Sequence, residues 1–194
     1  GRAAGPREEA MRHRLDALYA GALLGACLAI VAIAALVVVQ VVGRAVDRSL
    51  VLLGLLPLGV TIPSLAEIGG FLFVAAACLA LPATLRAGGH IRVTLALGWV
   101  PRRYARPLTA FVMLAAAALA AFAAWHAGLQ AWDSWAFGAV SYGVIAMPLW
   151  IPQAVMTTGF LLLLVALVDE LVSLARGAEP AFQRAERARS VEGH

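Results

Sequence analysis

Residues 17–43 read ALYAGALLGACLAIVAIAALVVVQVVG and contain no charged side chain. A helix rises about 1.5 Å per residue, so roughly 20 apolar residues cross a bilayer core about 30 Å thick. This stretch, between Asp16 and Arg44, is long enough to span a membrane with some tilt. A cleavable signal peptide is the alternative, but its apolar part is normally only about 7–15 residues long, and no small-x-small cleavage site precedes Arg44. The stretch therefore predicts a transmembrane helix.

Three further apolar runs follow. A β-barrel would need short segments of alternating polarity, whereas these runs are continuously apolar. We therefore predict an all-α integral membrane protein with four transmembrane helices. The predicted spans are 17–43, 65–85, 107–128 and 149–168.

Composition agrees with this fold class. Of the 194 residues, 62% are hydrophobic and only 13% are charged, against about 25% charged in soluble domains. This excludes a soluble enzyme and also a disordered chain. The net charge of +4 could favour nucleic acid, but every basic residue is an arginine and the arginines sit in clusters between apolar runs. We therefore expect membrane lipids, and no nucleic acid, as partners.

The arginine distribution predicts the orientation. Three segments hold all but two of the arginines: the polar leader 1–16, the connection 86–106 and the polar tail 176–194. Cytoplasmic loops retain arginine and lysine, so we predict that both termini are cytoplasmic. The membrane domain is then 17–175, and the broken apolar segment 49–64 is predicted to lie in the outer interface.

The predicted spans carry no ionisable residue in their central thirds. His90 and His126 fall on opposite sides of the membrane, so they cannot face one haem. Cys27 and Cys78 are interpreted as small apolar residues. The sequence contains no metal-ligand cluster and no nucleophile with a neighbouring base, so we expect no catalytic residues, no cofactor and no enzyme activity.

Two features indicate contacts. Glu67 opens the second span, where a carboxylate complements the helix dipole; a contact with a partner protein and an ion-coupling site are the alternatives. Gly21 and Gly25 form a small-xxx-small pattern, and the third span has an alanine-rich face from Ala115 to Ala124. Such patterns permit close approach of helices in membranes.

The sequence around the second span is more specific. Glu67 is followed by an apolar helix and then by Arg86-Ala87-Gly88-Gly89-His90-Ile91-Arg92-Val93. Together with Arg44 and the run from Ser141 to Pro152, this order resembles the DctQ-type small membrane subunit of TRAP (tripartite ATP-independent periplasmic) transporters. The resemblance covers roughly residues 15–175. Two positions depart from the family: Ser64-Leu65-Ala66 lacks the usual tryptophan, and Thr94 replaces a common aspartate.

The resemblance implies a subunit of a sodium-driven importer of organic acids in a bacterial inner membrane. Its partners would be a large permease subunit, which binds substrate and ion, and a periplasmic substrate-binding protein. The small subunit would extend the fixed scaffold of the permease. Arg44, Asp47 and Arg48 are then candidates for docking the binding protein, and Arg86, His90 and Arg92 for contacts with headgroups or with the permease.

Two other functions stay open on the residues alone. A small self-sufficient four-helix exporter would need a carboxylate deep within a span. A membrane anchor of a redox enzyme complex would need ligands for haem or quinone.

Overall fold

The computed structural model describes residues 6–59, 61–87 and 102–176. The regular secondary structure of these residues consists of α-helices, and they form no β-strand. Val140 and Pro148 make an isolated β-bridge. All four helices are long and apolar enough to cross a membrane. The predicted fold class is confirmed: the protein is all-helical, with four membrane-spanning helices. The four are α1 (Pro6–Leu52), α2 (Leu65–Arg86), α3 (Arg102–Ala136) and α4 (Trp150–Ala175).

Helix α1 extends well beyond the predicted span at both ends. It begins at Pro6, a residue favoured at the first helical position, so residues 6–16 of the predicted polar leader are part of the same helix. It also includes residues 49–52 of the predicted interfacial segment and ends just before Gly54, whose φ of 75° is left-handed. At about 1.5 Å per residue the helix is roughly 70 Å long, so much of it lies outside a bilayer core.

The helices pack in an open row. The main contacts join α1 to α2, α2 to α4 and α4 to α3. Helices α1 and α3 therefore stand at the two edges of the row, and α4 lies between α2 and α3. We call the end that holds the α1–α2 and α3–α4 connections the outer end, and the opposite end the inner end. The arginine distribution predicts that the inner end is cytoplasmic, and this orientation stays a prediction.

The alanine-rich face of α3 lies in its contact with α4. Its buried residues recur every three or four positions, as expected for one face of a helix. Small side chains at such a seam let two membrane helices approach closely. The buried residues of this face are Thr109, Met113, Ala117, Ala120, Ala124, Ala127 and Ser134.

Most of the apolar surface is left uncovered by the chain itself. Only 17–28% of each spanning window is buried, and large side chains such as Leu24, Val31 and Phe111 are exposed. In water this surface would favour aggregation. Lipid, a partner protein or both must cover it.

Candidate functional site

Glu67 does not stand alone at the outer end. It lies in the first turn of α2 and is half-buried. The hydroxyl of Ser141, 74 residues further on, lies 3.2 Å from Oε2 of Glu67. One turn earlier, Ser64 Oγ accepts a hydrogen bond of 3.0 Å from the backbone N–H of Ile145. The start of α2 is thus tied to the α3–α4 connection at two points.

Gly143, in the same connection, also lies close to this carboxylate. A Cβ built on Gly143 would overlap all three atoms of the Glu67 carboxylate group. Any larger residue at this position would therefore force the end of the Glu67 side chain, or the loop, to move. We call Ser64, Glu67, Ser141, Gly143 and Ile145 the outer cluster.

The connection carrying these residues is itself ordered by hydrogen bonds. Ser141 N–H donates to the carbonyl of Met147 over 2.9 Å, and Leu149 N–H donates to the carbonyl of Ala139 over 3.0 Å. Met147 N–H also donates to Ser141 Oγ over 3.2 Å. The result is a small hairpin-like loop, residues 137–149, that packs against Glu67 through Ser141 and Gly143.

The sequence singled out Glu67 but not its partners within the chain. Ser141 and Gly143 lie in a long uncharged stretch that also matched the family resemblance, and the polar Ser-Tyr-Gly interruption in it was the available signal. The contact adds a further role to the three considered for Glu67, because the carboxylate organises a loop as well as opening a helix.

Helix α1 holds the segment that follows it through two polar side chains. Asp47 Oδ1 accepts hydrogen bonds from the backbone N–H groups of Leu58, over 2.8 Å, and Gly59, over 3.2 Å. Gln40 Oε1 accepts one from Ile62 N–H over 2.8 Å. Gln40 and Asp47 are two helical turns apart and so share one face of α1. The segment therefore folds back along the helix.

Asp47, a candidate for docking, is thus engaged within the chain. Arg44 and Arg48 are exposed and, being four residues apart, lie on one face of α1. They present two positive charges at the outer end, next to the folded-back segment.

We expect Asp47→Ala to release residues 55–59 from α1. The substitution leaves the backbone N–H groups of Leu58 and Gly59 without their acceptor. Each lost hydrogen bond should reduce the stability of the folded-back segment by about 1 kcal/mol. Limited proteolysis of the purified protein in detergent should then cut this segment several times faster than in the wild type. Arg48→Ala, which removes an exposed neighbour without touching the segment's hydrogen bonds, is the control. Equal cleavage of the two variants would contradict the prediction.

A second group of charged residues lies at the inner end. Arg86, at the end of α2, forms an ion pair with Asp16 of α1, and its guanidinium carbon lies 5.2 Å from the ring centroid of Tyr19. Glu170 of α4 is only 3% exposed and contributes to the electrostatic field at Arg86. These four residues, the inner cluster, join α1, α2 and α4.

The sequence identified only Arg86 in this cluster. The predicted fourth span ended at Val168, two residues before Glu170, although α4 continues to Ala175. An acidic residue just after an apolar run was the missed signal. His90 and Arg92, the other candidates at this end, lie outside the described residues.

The two candidate packing glycines differ. A Cβ on Gly25 would lie 3.3 Å from Cδ1 of Leu79 in α2, whereas a Cβ on Gly21 would meet nothing within 4 Å. Among the described glycines, the one closest to the backbone of another helix is one that the sequence did not single out. A Cβ on Gly159 would lie 2.6 Å from both the Cβ and the carbonyl oxygen of Cys78.

The described residues offer packing and polar contacts more than reactive chemistry. Among them, no three His, Cys, Asp or Glu side chains come close enough together to hold a metal ion. Cys27 and Cys78 are free thiols. The grooves between α3 and α4 are lined largely by Ala, Leu, Trp and Thr side chains.

Comparison with known proteins agrees with the fold and with the two motif regions that meet at the outer cluster. No curated protein and no solved structure matches the chain. Residues 33–177 match the family described as "Tripartite ATP-independent periplasmic transporters, DctQ component". This match covers most of the chain and includes both Glu67 and the loop 137–149. The protein is a multi-pass membrane protein and belongs to the DctQ family, the small component of TRAP transporters.

Proposed function

We propose that this chain is the non-catalytic small subunit of a sodium-coupled importer of organic acids in a bacterial inner membrane. In this proposal it extends the fixed scaffold of the large permease and helps to dock the periplasmic binding protein. Membership of the DctQ family supports the assignment to such a transporter. Sodium coupling and the class of substrate rest on the likeness to that family.

The observation that carries the scaffold role is the open row of four helices. A row leaves two broad apolar faces, and the low burial of every span means that the chain does not cover them itself. A self-sufficient transporter needs a pathway enclosed by its own helices. A row suits a subunit that packs against a larger membrane protein and widens it.

The docking role is supported by what the outer end presents. Arg44 and Arg48 are exposed beside the folded-back segment after α1. The loop 137–149 also exposes Tyr142 and Val144 almost completely. Because Glu67 and Asp47 hold these two segments in place, we assign them positioning roles beneath a contact surface.

The other two functions are less well supported. An exporter would need a carboxylate in the middle of a span, and the acidic residues of the described helices lie toward the ends: Glu8, Glu9, Asp16, Asp47, Glu67, Asp133, Asp169 and Glu170. A redox anchor would need paired ligands for its cofactor. The histidines with described side chains are His13 and His126. His13 lies toward the inner end of α1, and His126 lies toward the outer end of α3.

Co-purification tests the proposal. The tagged chain, expressed with the reading frames that neighbour its gene, should retain a large hydrophobic permease in mild detergent. Liposomes containing this chain alone should show no sodium-dependent uptake of organic acids, whereas liposomes with permease and binding protein should show it. Uptake by the chain alone, or its isolation as a functional monomer without the permease, would contradict the proposal.

A further inference from the structure

A groove runs between α3 and α4 at the inner end, apart from both clusters described above. Its volume is about 450 Å³. Pro107 and Ala110 of α3 line it on one side, and Leu171 and Leu174 of α4 on the other. Arg106, the first residue of the apolar part of α3, and Arg176, which follows the last residue of α4, line the same groove.

The shape of the groove follows from its side chains. Pro107 and Ala110 are small and Ala175 completes the lining, so the two helices leave space between them where larger residues would fill the seam. The walls are apolar, which suits hydrocarbon. Such a groove would be costly to leave in contact with water and would not attract an inorganic ion by its walls.

Charge is confined to one part of the lining. Arg106 and Arg176 are both exposed, and they lie on different helices at the same end of the row. A guanidinium binds phosphate oxygens through two parallel N–H groups, which makes arginine well suited to a phosphodiester. Basic pockets between transmembrane helices on the cytoplasmic side are known to bind anionic headgroups.

We propose that this groove binds one anionic phospholipid of the inner leaflet. The phosphodiester lies between Arg106 and Arg176, and an acyl chain follows the apolar walls past Ala110 and Leu171. A phospholipid matches both halves of the lining, because it joins a negative headgroup to hydrocarbon, and its phosphodiester suits two guanidinium groups. The leaflet follows from the predicted cytoplasmic location of the inner end.

Lipid binding to the full chain tests this site. The protein, purified in neutral detergent, is titrated with phosphatidylglycerol and, separately, with phosphatidylcholine carrying the same acyl chains, and bound lipid is counted by native mass spectrometry. We expect the wild type to prefer phosphatidylglycerol. Arg106→Gln and Arg176→Gln should each weaken phosphatidylglycerol binding roughly fivefold and leave phosphatidylcholine binding unchanged. Arg44→Gln with Arg48→Gln, a matched pair at the outer end, should not weaken it.

Two further arms test the apolar half of the site. Ala110→Phe and, on the facing helix, Ala175→Phe should weaken phosphatidylglycerol binding although both arginines remain. Inorganic phosphate at millimolar concentration should not displace the lipid. Equal retention of the two lipids, wild-type binding by both arginine variants, or displacement by phosphate would overturn the proposal. It would also be overturned if the arginine variants kept the lipid but lost the permease on co-purification, because the groove would then be a protein contact.

Discussion

Gly159→Leu is expected to prevent α2 and α4 from packing in their present positions. The first atom of any side chain at this position would lie 2.6 Å from the backbone carbonyl oxygen and the Cβ of Cys78. Because backbone atoms cannot rotate away, the helices themselves must separate. Overpacking of this kind costs about 1–3 kcal/mol for a small addition and more for a larger one. The temperature at which the monodisperse peak disappears in fluorescence-detected size-exclusion chromatography should fall strongly for Gly159→Leu and measurably for Gly159→Ala.

Two other glycines of the chain provide graded controls. Gly21→Ala adds a methyl group where nothing lies within 4 Å, so its stability should match or slightly exceed that of the wild type. Gly25→Ala should fall between the two, because the atom it meets is the flexible end of Leu79. The explanation fails if Gly159→Ala is as stable as Gly21→Ala.

Gly143→Val is expected to push the Glu67 carboxylate away from Ser141 and so to loosen the loop 137–149 from α2. The added side chain would occupy the space of the Glu67 carboxylate, so either the loop or the carboxylate must move. Loss of the Ser141 hydrogen bond to this carboxylate should cost about 1 kcal/mol. Faster proteolysis between Phe137 and Leu149 would report the displaced loop. The yield of the complex with the permease should also fall if this loop contributes to assembly.

A double-mutant cycle isolates the contact itself. Gly143→Ala should destabilise the wild type but cost much less in a Glu67→Ala background, where no carboxylate occupies the space. We expect a coupling of about 0.5–3 kcal/mol, as for side chains in direct contact. Gly70→Ala, in α2 just beyond Glu67, adds a methyl group with nothing within 4 Å and serves as the control. Equal effects of Gly143→Ala in both backgrounds would exclude the contact as the cause.

The same variants separate the roles considered for Glu67. If Glu67 only positions the loop, Glu67→Ala and Gly143→Ala should reduce complex formation together, in proportion to loop displacement. If Glu67 contacts a partner directly, Glu67→Ala should reduce complex formation while the loop keeps its protease resistance. The partner contact therefore stays a prediction, and reduced complex formation with an intact loop is the result that would support it.

The apolar runs of the sequence were sufficient to predict the fold class and the number of helices. In lipid, every backbone polar group must be satisfied within the segment, so a long apolar run is restricted to a helix. The second helix, Leu65–Arg86, differs from its predicted span 65–85 by one residue, because the apolar run and the helix end at the same place. The motif around Glu67 and His90, combined with Arg44, the run from Ser141 to Pro152 and the four apolar runs, also predicted the family, since these are properties of local residue order.

Helix ends were less predictable where charge was the only guide. Arg44 ended the predicted first span, yet α1 continues to Leu52 because a charged residue leaves the membrane without leaving the helix. Only Gly54, with its left-handed φ, marks a real change of backbone direction. The fourth helix likewise continues past Asp169 and Glu170, whose charges ended the predicted span although Glu170 is buried in the structure.

By itself, then, the sequence determined that this protein lies in a membrane, how many times it crosses and to which family it belongs, because these depend on composition and on local order. The tertiary structure alone decided that α4 lies between α2 and α3, that Gly159 meets Cys78, and that Glu67 meets Ser141 and Gly143. These pairs are far apart in the chain, and their contacts depend on how uniformly apolar helices pack side by side. Apolar periodicity carries almost no information about that choice, since nearly any face of such a helix can be covered by lipid or by another helix.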